Sequence, residues 1–107
     1  MIVQCRAGSG ASMTDGLSKD TTVRIARDHF SQRLGVAETE IQLESVENMA
    51  FPDSNLGASK SDEASLAVIT DGWRILLAHN DTRAEYRANQ FKVRLYQFEG
   101  TNYRIFP

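Results

Sequence analysis

Apolar and polar residues alternate most regularly between Asp71 and Ala88. Trp73, Ile75 and Leu77 fall on one side of an extended chain, with Arg74, Leu76 and Ala78 on the other. Asn80-Asp81-Thr82 then supplies short polar side chains, which hydrogen-bond nearby backbone and accept turn dihedrals. Beyond it, Ala84, Tyr86 and Ala88 alternate with Arg83, Glu85 and Arg87. A period of two on both arms of a turn predicts an antiparallel hairpin with one buried and one wetted face. The remaining apolar segments need that surface to pack on.

Upstream the period changes. Val23, Ala26, Phe30 and Leu34 recur at spacings of three and four, which predicts an amphipathic helix over Thr21–Leu34. Asp20 is the expected N-cap and Gly35 the left-handed C-terminal cap. Ile41 and Leu43 restart the alternation in a strand that runs to Phe51, with a bulge expected at Ser45-Val46, where the phase slips. Pro52 ends it, having no amide to give a ladder. Residues 52–64 form the longest polar interruption, and Leu66–Thr70 resumes strand chemistry. Asp71-Gly72 is then either a tight turn into Trp73 or a bulge in one long strand. The last strand spans Phe91–Phe98, with Phe91, Val93 and Leu95 on one face and Tyr96 and Phe98 on the opposite one. Glu99–Asn102 reads as a turn, and Tyr103–Phe106 as an apolar tail that docks on the helix or mediates association. The sum is an α+β domain. One N-terminal helix packs on a four-stranded, mainly antiparallel sheet, a plan similar to the cystatin-like or PepSY-like arrangement.

A chain of 107 residues accommodates one core. The Gly/Ser-rich residues 1–18 read as a flexible leader and residues 19–107 as a single domain. The net charge of −2 lacks the basic excess of a nucleic-acid binder. It is unevenly spread, at −4 over residues 1–65 and +2 over residues 66–107. Acidic and basic strands lying side by side explain this, and a basic ligand-facing sheet surface is the sharper alternative. The single cysteine, Cys5, excludes an intrachain disulfide and a CxxC site. No apolar run reaches the roughly 20 residues of a membrane span, and the start lacks the apolar core of a signal peptide. As the chain stands the cytoplasm is the expected compartment, or the exterior if a signal has been removed.

Leu34-Gly35-Val36, Phe51-Pro52-Asp53-Ser54-Asn55-Leu56-Gly57, Thr70-Asp71-Gly72-Trp73-Arg74-Ile75 and Glu85-Tyr86-Arg87-Ala88-Asn89 follow one another along the chain. With them, residues 21–96 resemble an uncharacterised family of small bacterial domains, common in cyanobacteria and related phyla. Its members show a helix ending in L-G-V, a W-P-D-x-x-L-G segment and a G-W/Y-R/Q strand. Phe51 stands where tryptophan is usual. Ala58 stands where many relatives carry cysteine, so a disulfide role there is absent. The resemblance implies the topology and marks Phe51–Gly57 as the signature loop; it implies no activity.

Reactive chemistry is sparse. Phosphate-loop, dinucleotide, zincin and nucleophile-elbow motifs are all missing. Cys5 sits in the leader with no activating neighbour, His29 borders the helix stripe, and His79-Asn80-Asp81 reads as a turn rather than a metal site. Glu38, Glu40, Glu44 and Glu47 make a solvated acidic face or a site for a basic partner. Tyr96 and Phe98 with Arg87 and Arg94 could stack single-stranded nucleic acid, although core packing or an oligomer contact fits the acidic total better. No residue is assigned a catalytic or metal role and no cofactor is expected. The leading expectation is a non-catalytic protein-binding module, protease-inhibitor-like, presenting the 52–64 loop. Pro52, Asp53, Ser54, Asn55, Leu56 and Gly57 would do the binding, with Leu56 as the inserted anchor. The partner would be an unidentified protein, neither nucleic acid nor membrane. The alternatives are a self-associating domain (a homodimer through an edge strand or the aromatic tail) and a small enzyme or ligand-binding domain with a pocket between helix and sheet.

Overall fold

A computed structural model describes residues 16–106. Most of the expected leader, including Cys5, lies outside the described residues. Helix α1 spans Lys19–Leu34. Its N-cap is Ser18, whose Oγ accepts from the Thr21 amide at 3.1 Å, so Asp20 falls within the first turn instead. Gly35 closes the helix at φ 70°, in the left-handed region that glycine enters without a Cβ penalty. A single 3-10 turn, Glu38–Glu40, leads into the sheet.

Among the described residues that sheet has five strands in sequence order: β1 (Gln42–Phe51), β2 (Thr70–His79), β3 (Thr82–Ala88), β4 (Val93–Phe98) and β5 (Thr101–Phe106). Every neighbouring pair is antiparallel. The fold is therefore α+β as expected, with one strand more than the expected four. The extra strand is the Tyr103–Phe106 tail together with Thr101 and Asn102 of the expected turn; so short a run shows no period. Tyr103 also docks on the helix: its hydroxyl accepts from Arg33 at 3.1 Å, and the guanidinium lies 4.6 Å from its ring centroid.

Three local differences have clear causes. The β1 bulge lies between Leu43 and Ser45, one residue earlier than expected, and it returns Val46 to the inner face opposite Ile75. Leu66–Ile69 is not a strand, since β2 begins at Thr70. Asp71-Gly72 is neither turn nor bulge but a continuous part of that strand. A Cβ on Gly72 would stand 2.3 Å from the Ala88 carbonyl oxygen and 3.1 Å from the Phe51 ring, and this close approach is why glycine sits there. In β4 the register shifts between Leu95 and Phe98, with Gln97 at φ 44°. Phe98 thereby joins the inner face and meets Phe30 edge-on at 6.1 Å, instead of sharing a face with Tyr96.

The core lies between α1 and one face of the sheet. Ala26 and Phe30 meet Ile75, Leu77, Ala84, Tyr86, Ala88, Val93 and Leu95, with Val23, Leu34 and Trp73 packed around them. Burial of this apolar surface supplies the main stabilisation. The opposite face carries arginines, and the chain between β1 and β2 folds over it.

Candidate functional site

Residues 52–69, the connection between β1 and β2, cover the outer sheet face and divide into an inward and an outward part. Asp53 organises the first turn: its Oδ1 accepts from the amides of Asn55 at 2.9 Å and Gly57 at 3.0 Å. Leu56 at φ 61° and Gly57 at φ 69° then reverse the chain. The reversal drives the Leu56 side chain inward, to 0% exposure, with Ala58 also at 0% and Asn55 at 5%.

Cations from β3, β4 and the connection between them hold this turn. Lys92 Nζ donates to the Ser54 carbonyl at 2.9 Å and to Asn55 Oδ1 at 3.1 Å. Arg87 Nη1 donates to the Leu56 carbonyl at 3.0 Å, through space that a Cβ on Gly57 would occupy at 2.6 Å. The Arg87 guanidinium also lies over the Tyr96 ring at 3.5 Å and the Phe51 ring at 5.2 Å. Arg94 Nη1 donates to Glu63 Oε1 at 2.5 Å, and Asn102 Nδ2 donates to the Ser59 carbonyl at 2.8 Å. The Arg94 hydrogen bond is the chief reason that the Glu63 carboxyl is held at about 2, below its ordinary 4.5; burial works against it.

Of the six residues expected to bind, Pro52 is exposed, Asp53, Ser54 and Gly57 are half-buried, and Asn55 and Leu56 are buried. The loop is not extended around Leu56, which is a plug in the protein's own interior. The signature segment thus builds the loop rather than projecting from it.

The outward part is Leu66–Ile69. Leu66 is 68% exposed, Val68 50% and Ile69 75%. Both ends are fixed: the Leu66 amide donates to Ser54 Oγ at 2.9 Å, the Ser54 amide returns a bond of 2.9 Å to the Leu66 carbonyl, and Thr70 enters β2. Beside it lies an open cleft of about 1030 Å³, where apolar Leu17, Met49, Ile69, Trp73 and Phe91 share the wall with polar Asn48, Asp71, Asn89 and Gln90. Phe91 adds an exposed aromatic side chain. Leu66, Val68 and Ile69 read as a strand in sequence because apolar, β-branched composition alone cannot tell a buried segment from a displayed one.

The titratable residues that the sequence singled out are dispersed. His29 Nδ1 shares a hydrogen bond of 2.7 Å with the Tyr86 hydroxyl beneath α1. Burial first, and Arg33 second, pull the His29 imidazole below its ordinary 6.5, while burial pushes the Tyr86 phenol up. His79 pairs with Glu40 at 3.6 Å, Arg83 with Glu44 at 3.2 Å and Arg74 with Glu47 at 3.7 Å. Glu40, Glu44 and Glu47 are thus each paired with a basic side chain, Glu47 with its direct cross-strand partner. Among the described residues no group of three His, Cys, Asp or Glu side chains could hold a metal ion, and no helix is long and apolar enough to cross a membrane.

A family model matches residues 23–96, from the first turns of α1 to Tyr96 in β4. The chain belongs to the family Domain of unknown function (DUF8738). That match takes in the whole β1–β2 connection with Arg74, Arg87 and Arg94, and leaves β5 outside. No curated protein and no solved structure matches the chain.

Proposed function

We propose that this DUF8738 protein is a non-catalytic protein-binding module that presents the connection between β1 and β2, with Leu66, Val68 and Ile69 as the contacting side chains. The observation that carries the reading is their exposure of 68%, 50% and 75% on a segment tied down at Leu66 and at Thr70. Large apolar side chains displayed together on a pre-ordered segment favour association, because little conformational entropy remains to be lost on binding. The adjoining cleft with Trp73 and Phe91 gives a partner somewhere to insert an apolar group. Pro52–Gly57 serve as the base of the display, and the contact moves from the 52–64 loop to the residues that follow it. A protease-inhibitor-like mode belongs to this reading, with the Leu66–Ile69 segment in the place first given to Leu56.

The test is cross-linking of the full chain in its native host, wild type against L66S/V68S/I69S. The variant is expected to melt like the wild type and to lose the cross-linked partner. A variant that keeps the partner at wild-type yield refutes the proposal.

Self-association is a second reading, favoured by the outer edges of β1 and β5, which have no partner strand among the described residues and where Leu43 and Phe106 are each 42% exposed. Phe106→Asp in sedimentation velocity separates the two, since only self-association predicts a change in mass.

A further inference from the structure

The register sets four arginines in a line across the outer sheet face. Arg74 is the cross-strand partner of Arg87, Arg87 of Arg94, and Arg94 of Arg104. Like charges directly opposite one another are unfavourable, so the line needs anions. Three carboxylates meet it: Glu47 is 3.7 Å from Arg74, Glu85 is 2.7 Å from Arg87, and Glu63 bridges Arg94 at 2.5 Å and Arg104 at 3.5 Å. Lys92 adds a further cation beside the loop, and Asp53 is engaged with backbone amides.

Compensation is incomplete at two points. Among the described residues the Nε groups of Arg74 and Arg94 are buried and have no hydrogen-bond acceptor, Arg74 Nε having only the longer ion-pair contact of 3.7 Å to Glu47. The Arg94 side chain is only 5% exposed, so its free N–H is cut off from bulk water as well. A buried donor left unpaired carries a real penalty, and a guanidinium row with spare donors is the arrangement that binds carboxylates. The chain itself displays the ligand chemistry: Glu63 reaches the Arg94–Arg104 pair from the loop, not from the sheet.

We infer that the Arg94–Arg104 end of the arginine row is a carboxylate-binding site for an acidic segment of a partner protein, and that Glu63 occupies it as an internal stand-in. An incoming carboxylate displaces Glu63 and pairs with Arg94 and Arg104. Charge complementarity sets the class of partner: four guanidiniums in line, one end of which is open, since Arg104 is 52% exposed. The inference rests on the binding-module reading in taking the partner to be a protein, and adds acidity to its description.

Hexaglutamate titrated into the full chain by calorimetry, at low and at high salt, tests it. Binding that weakens with salt is expected. R104Q should weaken it about five-fold, the size of one exposed charge pair, whereas R24Q on the exposed side of α1 should leave it unchanged. E63Q, by removing the internal competitor, should tighten it several-fold. Absence of binding to both wild type and E63Q overturns the inference, as does equal weakening by R24Q and R104Q. Full displacement by an equal concentration of inorganic phosphate also overturns it, since the site would then take any small anion. Should E63Q fold poorly, R104Q against R24Q decides alone. L66S/V68S/I69S should bind hexaglutamate like the wild type; loss there would move the site off the arginine row and end this inference. Loss of the cross-linked partner alone is what that variant reports on the Leu66–Ile69 display.

Discussion

Leu56→Ala is the perturbation that most sharply separates a loop folded onto the sheet from a loop held out to a partner. The Leu56 side chain is 0% exposed, so truncation removes a buried isobutyl group and leaves a cavity, at a cost of about 2–5 kcal/mol. That is a large share of the roughly 5–15 kcal/mol available to a domain of this size. With about 4–8 °C of midpoint per kcal/mol, the melting temperature should fall by at least roughly 8 °C. Backbone strain provides an internal check. Leu56 sits at φ 61°, where alanine is as strained as leucine but glycine is not, so Leu56→Gly should be no less stable than Leu56→Ala despite losing one more carbon. Leu66→Ala removes the same side chain from a 68% exposed position and should stay within about 0.5 kcal/mol of wild type. Urea denaturation followed through Trp73, the single tryptophan, measures all three. A Leu56→Ala loss below about 1 kcal/mol, or one equal to that of Leu66→Ala, would refute the folded loop.

The Glu63 carboxyl is held at about 2 from an ordinary 4.5, so its stabilisation is complete above 4.5 and disappears as pH falls toward 2. Glu63→Gln should remove that part of the acid-induced loss of stability; an acid limb identical to wild type would contradict the Arg94 pairing. The His29 imidazole, pulled down by burial and then by Arg33, should show an NMR titration midpoint below 6.5 that rises in Arg33→Gln, while its contribution to stability fades as pH drops through 6.5. A midpoint at or above 6.5 in the wild type would contradict its burial against Tyr86. Gly72→Ala drives a methyl to 2.3 Å from the Ala88 carbonyl oxygen and should cost roughly 1–3 kcal/mol; an unchanged thermal midpoint would mean that β1, β2 and β3 are not so closely set.

The parts of the fold legible in sequence are those with a sustained period. Val23, Ala26, Phe30 and Leu34 mark the helix and its buried side, and Trp73, Ile75 and Leu77 face them across the core as the alternation implies. Short or phase-broken segments are where reading by period fails. Gln97 takes a left-handed φ and turns Phe98 inward, and nothing in Tyr-Gln-Phe announces that step. The fifth strand follows a turn and is stabilised by pairing with β4 and by Arg33 on Tyr103, contacts between residues distant in sequence. In the loop, the motif Pro52-Asp53-Ser54-Asn55-Leu56-Gly57 was legible as special, but its polarity suggested display. The reason it turns inward lies in Arg87, Lys92 and Arg94, some thirty or more positions later. The arginine line was likewise visible only as a basic excess after residue 65, because register, not spacing along the chain, brings its members together.

Amide hydrogen exchange across residues 52–69 addresses the central claim most directly. The amides of Asn55 and Gly57, bonded to Asp53, and of Ala58, bonded to the Asn55 carbonyl at 2.9 Å, should be protected, while those of Ala67 and Ile69 in the displayed segment exchange freely. Uniformly fast exchange from Asp53 to Ile69 would show that the connection is not folded onto the sheet, and the division between an inward base and an outward contact would fall with it.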